Sequence, residues 1–261
     1  MLYYLFDWLH NSLNIPGAGV FQYISFRAAA AIITSLLITI VFGKKLIELL
    51  HKKQVGETVR DLGLEGQKAK EGTPTMGGLI ILAAILIPTL LFAKLDNIYV
   101  IIMLITTVWL GTLGFIDDYI KVFKKNKAGL SGKLKIVGQV LLGVVVGCMM
   151  YFHPDITIKE KQDIAIYSES HNLQKKSNYE QAKKEFMQES SRSTKTTIPF
   201  VKNNEFDYSW LIKWIGKDYK SYAWIIFIPI VILFITAISN GANLTDGIDG
   251  LATGTSAIIG S

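Results

Sequence analysis

Apolar runs long enough to cross a bilayer dominate this sequence, and they leave few folds open to it. About 18 to 20 consecutive apolar residues span the hydrocarbon core, and lipid offers no partner to an unpaired backbone group. Helices are therefore the expected form of the runs 24–42, 76–93, 98–116, 136–152 and 223–239. A sixth run opens near Leu251, and the sequence given stops inside it at Ser261. The expected fold class is all-α: a polytopic transmembrane helical bundle with five full spans and the start of a sixth, read as the N-terminal part of a larger bundle. Composition agrees, with 50% apolar residues and a mean hydropathy of +0.34. Pro88 and Pro229 fall inside the second and fifth runs, where membrane helices accept a kink. Cys148 is the lone cysteine, so the chain builds no disulfide framework.

Placement of charge orients the spans. The segment 43–75 carries Lys44, Lys45, Lys52, Lys53, Arg60, Lys68 and Lys70, and the segment 117–135 carries Lys121, Lys124, Lys125, Lys127, Lys133 and Lys135. The connection 94–97 has Lys94 alone, and the first basic residue of the chain is Arg27. Cytoplasmic loops collect Lys and Arg, so 43–75, 117–135 and 240–250 are expected inside, with the N-terminus outside. Arg27 is expected to reach from its span toward the headgroups. The chain is expected to form one integral membrane domain over 1–261. Residues 153–222 would be an extracytoplasmic loop, with a polar insertion at about 155–200 that is mobile or weakly helical. The Trp- and Tyr-rich end of that loop suits a membrane interface.

Three polar stretches break the hydrophobic pattern, and all fall on the expected cytoplasmic side. "KAKEGTPTMGGL" (68–79) leads into a span whose first amides, beside threonine hydroxyls, suit an anion. A tight loop-to-helix turn explains it equally well. "FIDDYIKV" (115–122) ends a span in Asp117 and Asp118, followed by Lys121. Adjacent carboxylates there need solvent or cations. They suit Mg²⁺ shared with substrate phosphates, or one of them a general base. "ISNGANLTDGIDGL" (238–251) repeats Asn240, Asn243, Asp246 and Asp249 at every third residue, which aligns carboxamides and carboxylates on one side of a helix or turn. It does not match an EF-hand loop. His10, His51, His153 and His171 are scattered, and no nucleophile-elbow, zinc-protease or phosphate-loop pattern occurs. Carboxylates, lysines and carboxamides on one membrane face fit phosphoryl chemistry, which needs positioning and charge neutralisation.

"GTPTMGG", "DDYIKV" and "NLTDGIDGL", in this order, resemble the signatures of the phospho-N-acetylmuramoyl-pentapeptide transferases, within the wider group of polyprenyl-phosphate N-acetylhexosamine-1-phosphate transferases. The resemblance covers the chain from about Phe21 onward, apart from the 155–200 insertion. It implies an enzyme of about ten membrane helices in the bacterial inner (cytoplasmic) membrane, working as a homodimer with its site facing the cytoplasm. The implied reaction moves phospho-N-acetylmuramoyl-pentapeptide from its UDP carrier to undecaprenyl phosphate, giving lipid I and UMP, with Mg²⁺ required. No nucleic-acid partner is implied. Carried over by position, Asp117, Asp118, Lys121 and Lys133 are the catalytic candidates. Asp117 and Asp118 are also metal candidates, and Lys70, Thr75, Asn240, Asn243, Asp246 and Asp249 line the nucleotide-sugar side. The chain departs from the family in its longer insertion. It also ends before the family's downstream aspartate, aromatic residue and histidine-rich loop, so the main metal ligand is expected beyond residue 261 and these residues alone are expected to be inactive. The competing enzyme is a transferase using UDP-N-acetylglucosamine. A membrane transporter is the competing class, but it would place its acids near mid-span rather than at span ends on one face.

Overall fold

The computed structural model describes residues 1–52, 76–124, 126, 129–157, 194–197, 205–216, 219–245 and 250–260. Its helices are α1 (Leu2–Leu13), α2 (Ile24–Lys52), α3 (Gly78–Phe92), α4 (Ile98–Phe123), α5 (Gly132–Phe152), α6 (Trp224–Thr245) and α7 (Leu251–Gly260). The all-α bundle is as expected, with one short exception in the 153–222 segment. Four helices among the described residues are long and apolar enough to cross a membrane, within α2, α4, α5 and α6. The run read as a second full span is shorter. α3 has 15 residues and rises about 22 Å, below the roughly 30 Å of hydrocarbon. It starts only after Met76, whose φ is +74°, and ends where Ala93 becomes extended. The third run, in contrast, outlasts its expected end: α4 continues through the acids to Phe123.

The described chain divides into two units, Met1–Leu142 with Ile238–Ser261, and Gly143–Ala237. In the first unit α2, α3 and α4 pack in sequence. A Cβ on Gly111 would lie 2.6 Å from a methyl of Leu82, and one on Gly138 2.8 Å from a methyl of Leu113. Small residues thus let α4 approach α3 and α5 closely. The Trp109 indole N–H donates to the Gly138 carbonyl at 2.9 Å, which joins α4 to α5.

The amphipathic α1 was not foreseen. It closes the end of this unit opposite the acids. The N-terminal ammonium of Met1 donates to the Leu90 carbonyl at 2.8 Å, and Tyr4 bonds the Asp96 carboxylate. Arg27 does not simply extend to headgroups: its guanidinium sits 4.7 Å from the Tyr3 ring centroid and donates to the Phe92 carbonyl at 3.3 Å. The carbonyls at the end of α3 are therefore satisfied by cations. The N-terminus and the 94–97 connection share one end, as the positive-inside argument requires.

In the second unit Gly143 and Gly147 of α5 face α6. A Cβ on Gly143 would meet the Ile232 Cα at 2.8 Å, and one on Gly147 the Ile228 side chain at 3.3 Å. Residues 158–193 and 198–204, most of the polar insertion, lie outside the described residues. Around them, β1 (Lys195–Thr197) pairs antiparallel with β2 (Glu205–Asp207), Thr196 opposite Phe206, and a 3₁₀ helix follows over Tyr208–Ile215. Its aromatic residues Trp210 and Trp214 are exposed. Asp207 caps that helix, accepting from the Ser209 N–H at 2.9 Å and the Thr194 hydroxyl at 2.7 Å.

Burial pushes the Asp207 carboxyl up, but the bonds from Ser209 and Thr194 and the nearby Lys195 charge outweigh it and hold the group below its usual value. A depressed carboxyl contributes stability above its unfolded pKa of about 3.9, and that contribution is lost as pH falls through the folded value. The hairpin should therefore lose amide-exchange protection in acid, below about pH 4, and Asp207→Asn should flatten that dependence.

Candidate active site

Asp117 lies two turns from the end of α4 and is only 8% exposed. Because α4 continues past it, Lys121 falls on the same helical face at i+4, and its ammonium reaches Asp117 Oδ2 at 2.8 Å. A second ammonium, that of Lys135 on α5, reaches Oδ1 at 3.0 Å. The Leu130 amide donates to the same oxygen at 2.7 Å. One carboxylate thus holds two cations and the turn between α4 and α5. That turn needs a glycine. Gly129 has φ +65°, and a Cβ there would strike the Asp117 carboxylate and lie 2.8 Å from Lys121 Cε.

Asp118, one residue on, projects about 100° around the helix from Asp117. It is partly exposed, and Lys133, in the first turn of α5, is exposed. Lys135 was not among the sequence candidates. No periodicity marks it, because its partner lies across a turn.

The described parts of the three polar stretches belong to this unit. Met76, at the start of α3, is buried among Leu46, Leu79 and Val122, which sets the "MGG" stretch beside the "DDYIKV" stretch. Beside Gly77 and Gly78 a Cβ would meet nothing within 4 Å among the described residues. From α6, the Asn240 carboxamide donates to Gln139 Oε1 at 2.9 Å, and Gln139 Nε2 donates to Ser239 Oγ at 3.0 Å. Asn243 is exposed one turn further on. Lys70, Thr75, Asp246 and Asp249 lie outside the described residues. Gln139 was also passed over, although a carboxamide within an apolar run is a signal in itself.

The donor set bears on the metal. Asp117 Oδ1 accepts from Lys135 and the Leu130 amide and Oδ2 accepts from Lys121, so a metal ion on Asp117 would share its carboxylate with two lysines. No three His, Cys, Asp or Glu residues among those described converge on a common point.

An apolar cavity of about 750 Å³ runs between α3, α4 and α5, lined by Leu86, Trp109, Leu113, Leu134 and Leu141 among others. The Trp109 indole and the Thr112 hydroxyl on its wall spend their hydrogens on Gly138 and Val108 carbonyls. Its lining includes Leu113, one turn before Asp117 on α4, and Leu134, between Lys133 and Lys135 on α5, so apolar lining residues and the cationic cluster are neighbours along both helices.

Family models match this chain at two of the three polar stretches. Residues 193–261 match the family model for glycosyl transferase family 4, and residues 70–82 match the phospho-N-acetylmuramoyl-pentapeptide-transferase signature 1. A phospho-N-acetylmuramoyl-pentapeptide-transferase of Flavobacterium psychrophilum is 60% identical, the alignment covering 99% of this chain and 61% of the relative. Proteins of the same name from Parabacteroides distasonis and Phocaeicola vulgatus are 56% and 52% identical, over all of this chain and 59% of each relative. Bundle and matches together point to a polytopic membrane protein with a segment similar to glycosyl transferase family 4. Over its whole length the chain is similar to phospho-N-acetylmuramoyl-pentapeptide transferases. It spans about three fifths of the length of these curated relatives.

Proposed function

We propose that this chain carries the phosphate-handling part of an enzyme that transfers phospho-N-acetylmuramoyl-pentapeptide from its UDP carrier to undecaprenyl phosphate. The observation that carries this reading is the pair of ammonium groups held by buried Asp117, one helical turn beyond Leu113 in the lining of an apolar cavity. In this reading the polyprenyl chain remains among apolar residues and its phosphate meets the lysines. The enzyme sits in the bacterial cytoplasmic membrane with this end toward the cytosol, in keeping with the lysine placement. The homodimer rests on the resemblance alone.

The chemistry needs little from a base. A phosphate monoester has its second pKa near about 6, so the lipid phosphate is largely a dianion at neutral pH. One of its oxygens attacks the sugar-linked phosphorus of the nucleotide. A new P–O bond forms, the P–O bond to UMP breaks, and UMP leaves with the electron pair. Lys121, Lys135 and the exposed Lys133 offset the charge of the approaching phosphates, and Asp117 keeps the first two in place. Asn240 and Asn243, with Lys70, Thr75, Asp246 and Asp249, serve the nucleotide-sugar. Asp117 and Asp118 are the carboxylates here that would face Mg²⁺ shared with substrate phosphate oxygens, and the ion would supply charge neutralisation there.

Full-length protein in detergent should release UMP with UDP-N-acetylmuramoyl-pentapeptide and undecaprenyl phosphate together. Equal or faster turnover of UDP-N-acetylglucosamine would move the protein to the competing transferase branch. Robust exchange of labelled UMP into the UDP-sugar by delipidated enzyme would replace direct attack with a covalent enzyme intermediate.

A further inference from the structure

We propose that Gln139 is a positioning residue. It sets where Asn240, and with it the polar end of α6, lies relative to the Asp117–Lys121–Lys135 cluster. The inference rests on the reading of Asn240 as a residue of the nucleotide-sugar side.

Gln139 is 6% exposed, and both ends of its carboxamide are engaged: Nε2 donates to Ser239 Oγ at 3.0 Å and Oε1 accepts from Asn240 Nδ2 at 2.9 Å. It lies four residues after Lys135, hence on the same face of α5 and about 6 Å further along the axis. Lys135 on that face holds Asp117 at 3.0 Å. One turn of α5 therefore spaces two polar groups that belong to distant parts of the sequence.

An apolar side chain could have packed α5 on α6 equally closely. A carboxamide does something packing cannot. It commits the Nδ2 end of Asn240 to α5, and so fixes which end of that carboxamide is turned away from the helix contact. A buried carboxamide left unpaired is costly, so the three-residue network holds as a unit. Gln139 thus acts on nucleotide-sugar binding through Asn240, without itself meeting the reacting phosphates.

The test uses full-length protein in detergent, with UDP-N-acetylmuramoyl-pentapeptide and undecaprenyl phosphate varied separately and thermal unfolding measured in parallel. Gln139→Met should raise the nucleotide-sugar KM about tenfold, while kcat and the lipid KM stay within about twofold. Gln139→Glu, whose carboxylate still accepts from Asn240, should recover most of that loss. Asn240→Ala alone and the Gln139→Met/Asn240→Ala double variant should share one KM, because Gln139 acts through Asn240. Equal changes in both KM values, or a fall in kcat that tracks a lowered Tm, would mark a helix tether only and overturn the proposal. Ser239→Ala, which removes only the outer anchor of Gln139, is a milder variant: about a threefold rise in the same KM is expected, and no change overturns the proposal. Turnover with unaltered variant KM values sinks this inference alone. Absence of turnover in wild-type protein sinks the reading of the site and this inference with it.

Discussion

Replacing Asp117 by alanine in the full-length protein will lower kcat at least about a hundredfold and will lower Tm as well. The stability loss follows from the geometry. Lys121 and Lys135 lie within 3.0 Å of the same carboxylate, which is 8% exposed. Without it, the two ammonium groups lose the carboxylate they share. Breaking a fully buried ion pair costs about 3 to 5 kcal/mol; with the Lys121 and Lys135 side chains 40% and 28% exposed the loss here is smaller, and the Leu130 amide loses its acceptor too. The catalytic loss has a separate cause, because the lysines then leave the positions from which they meet a phosphate.

Asp117→Asn divides the two effects. It keeps an acceptor for Leu130 but not the charge that holds the lysines. A folded protein with kcat down at least about tenfold is expected. Assay up to about pH 9 should not restore it, because the lipid phosphate is already ionised. Recovery at high pH would return Asp117 to the role of general base.

Gly143→Leu will be the most disruptive change away from the site. A Cβ at position 143 would lie 2.8 Å from the Ile232 Cα, so the obstacle is backbone of α6 and not a side chain free to rotate. Forcing extra atoms into such a contact costs about 1 to 3 kcal/mol, and separating the helices forfeits the packing that drives association in lipid. A lower Tm with undiminished nucleotide-sugar KM is expected. An unchanged Tm would show that α5 and α6 are not in contact at this position. Gly147→Ala should be milder, since its Cβ meets the Ile228 side chain at 3.3 Å.

The membrane class of this protein, and the need of its span-end acids for cations, were legible from residue order. Both rest on local properties: an apolar run must become a helix in lipid, and paired acids at its end need cations. Partnership was harder to read. Lys121 reaches back one turn to Asp117 because α4 runs on past the acids. Lys135 looked like one more lysine of a cationic loop, and only the Gly129 turn carries it to Asp117. α1 was missed because its apolar residues are too few and too interrupted for a span. The β1–β2 hairpin was missed because six short strand residues carry no periodic signal.

Residue order by itself determined that the chain must be a helical membrane protein, and where along it the lysines and the paired acids stand. These are consequences of solvation, acting on each segment without regard to the others. Tertiary structure alone decided that Asp117 is committed to two lysines, and that one face of α5 joins it to Asn240. Such contacts depend on the angle of a turn and on the register of helices packed through glycine. Neither can be counted along a sequence.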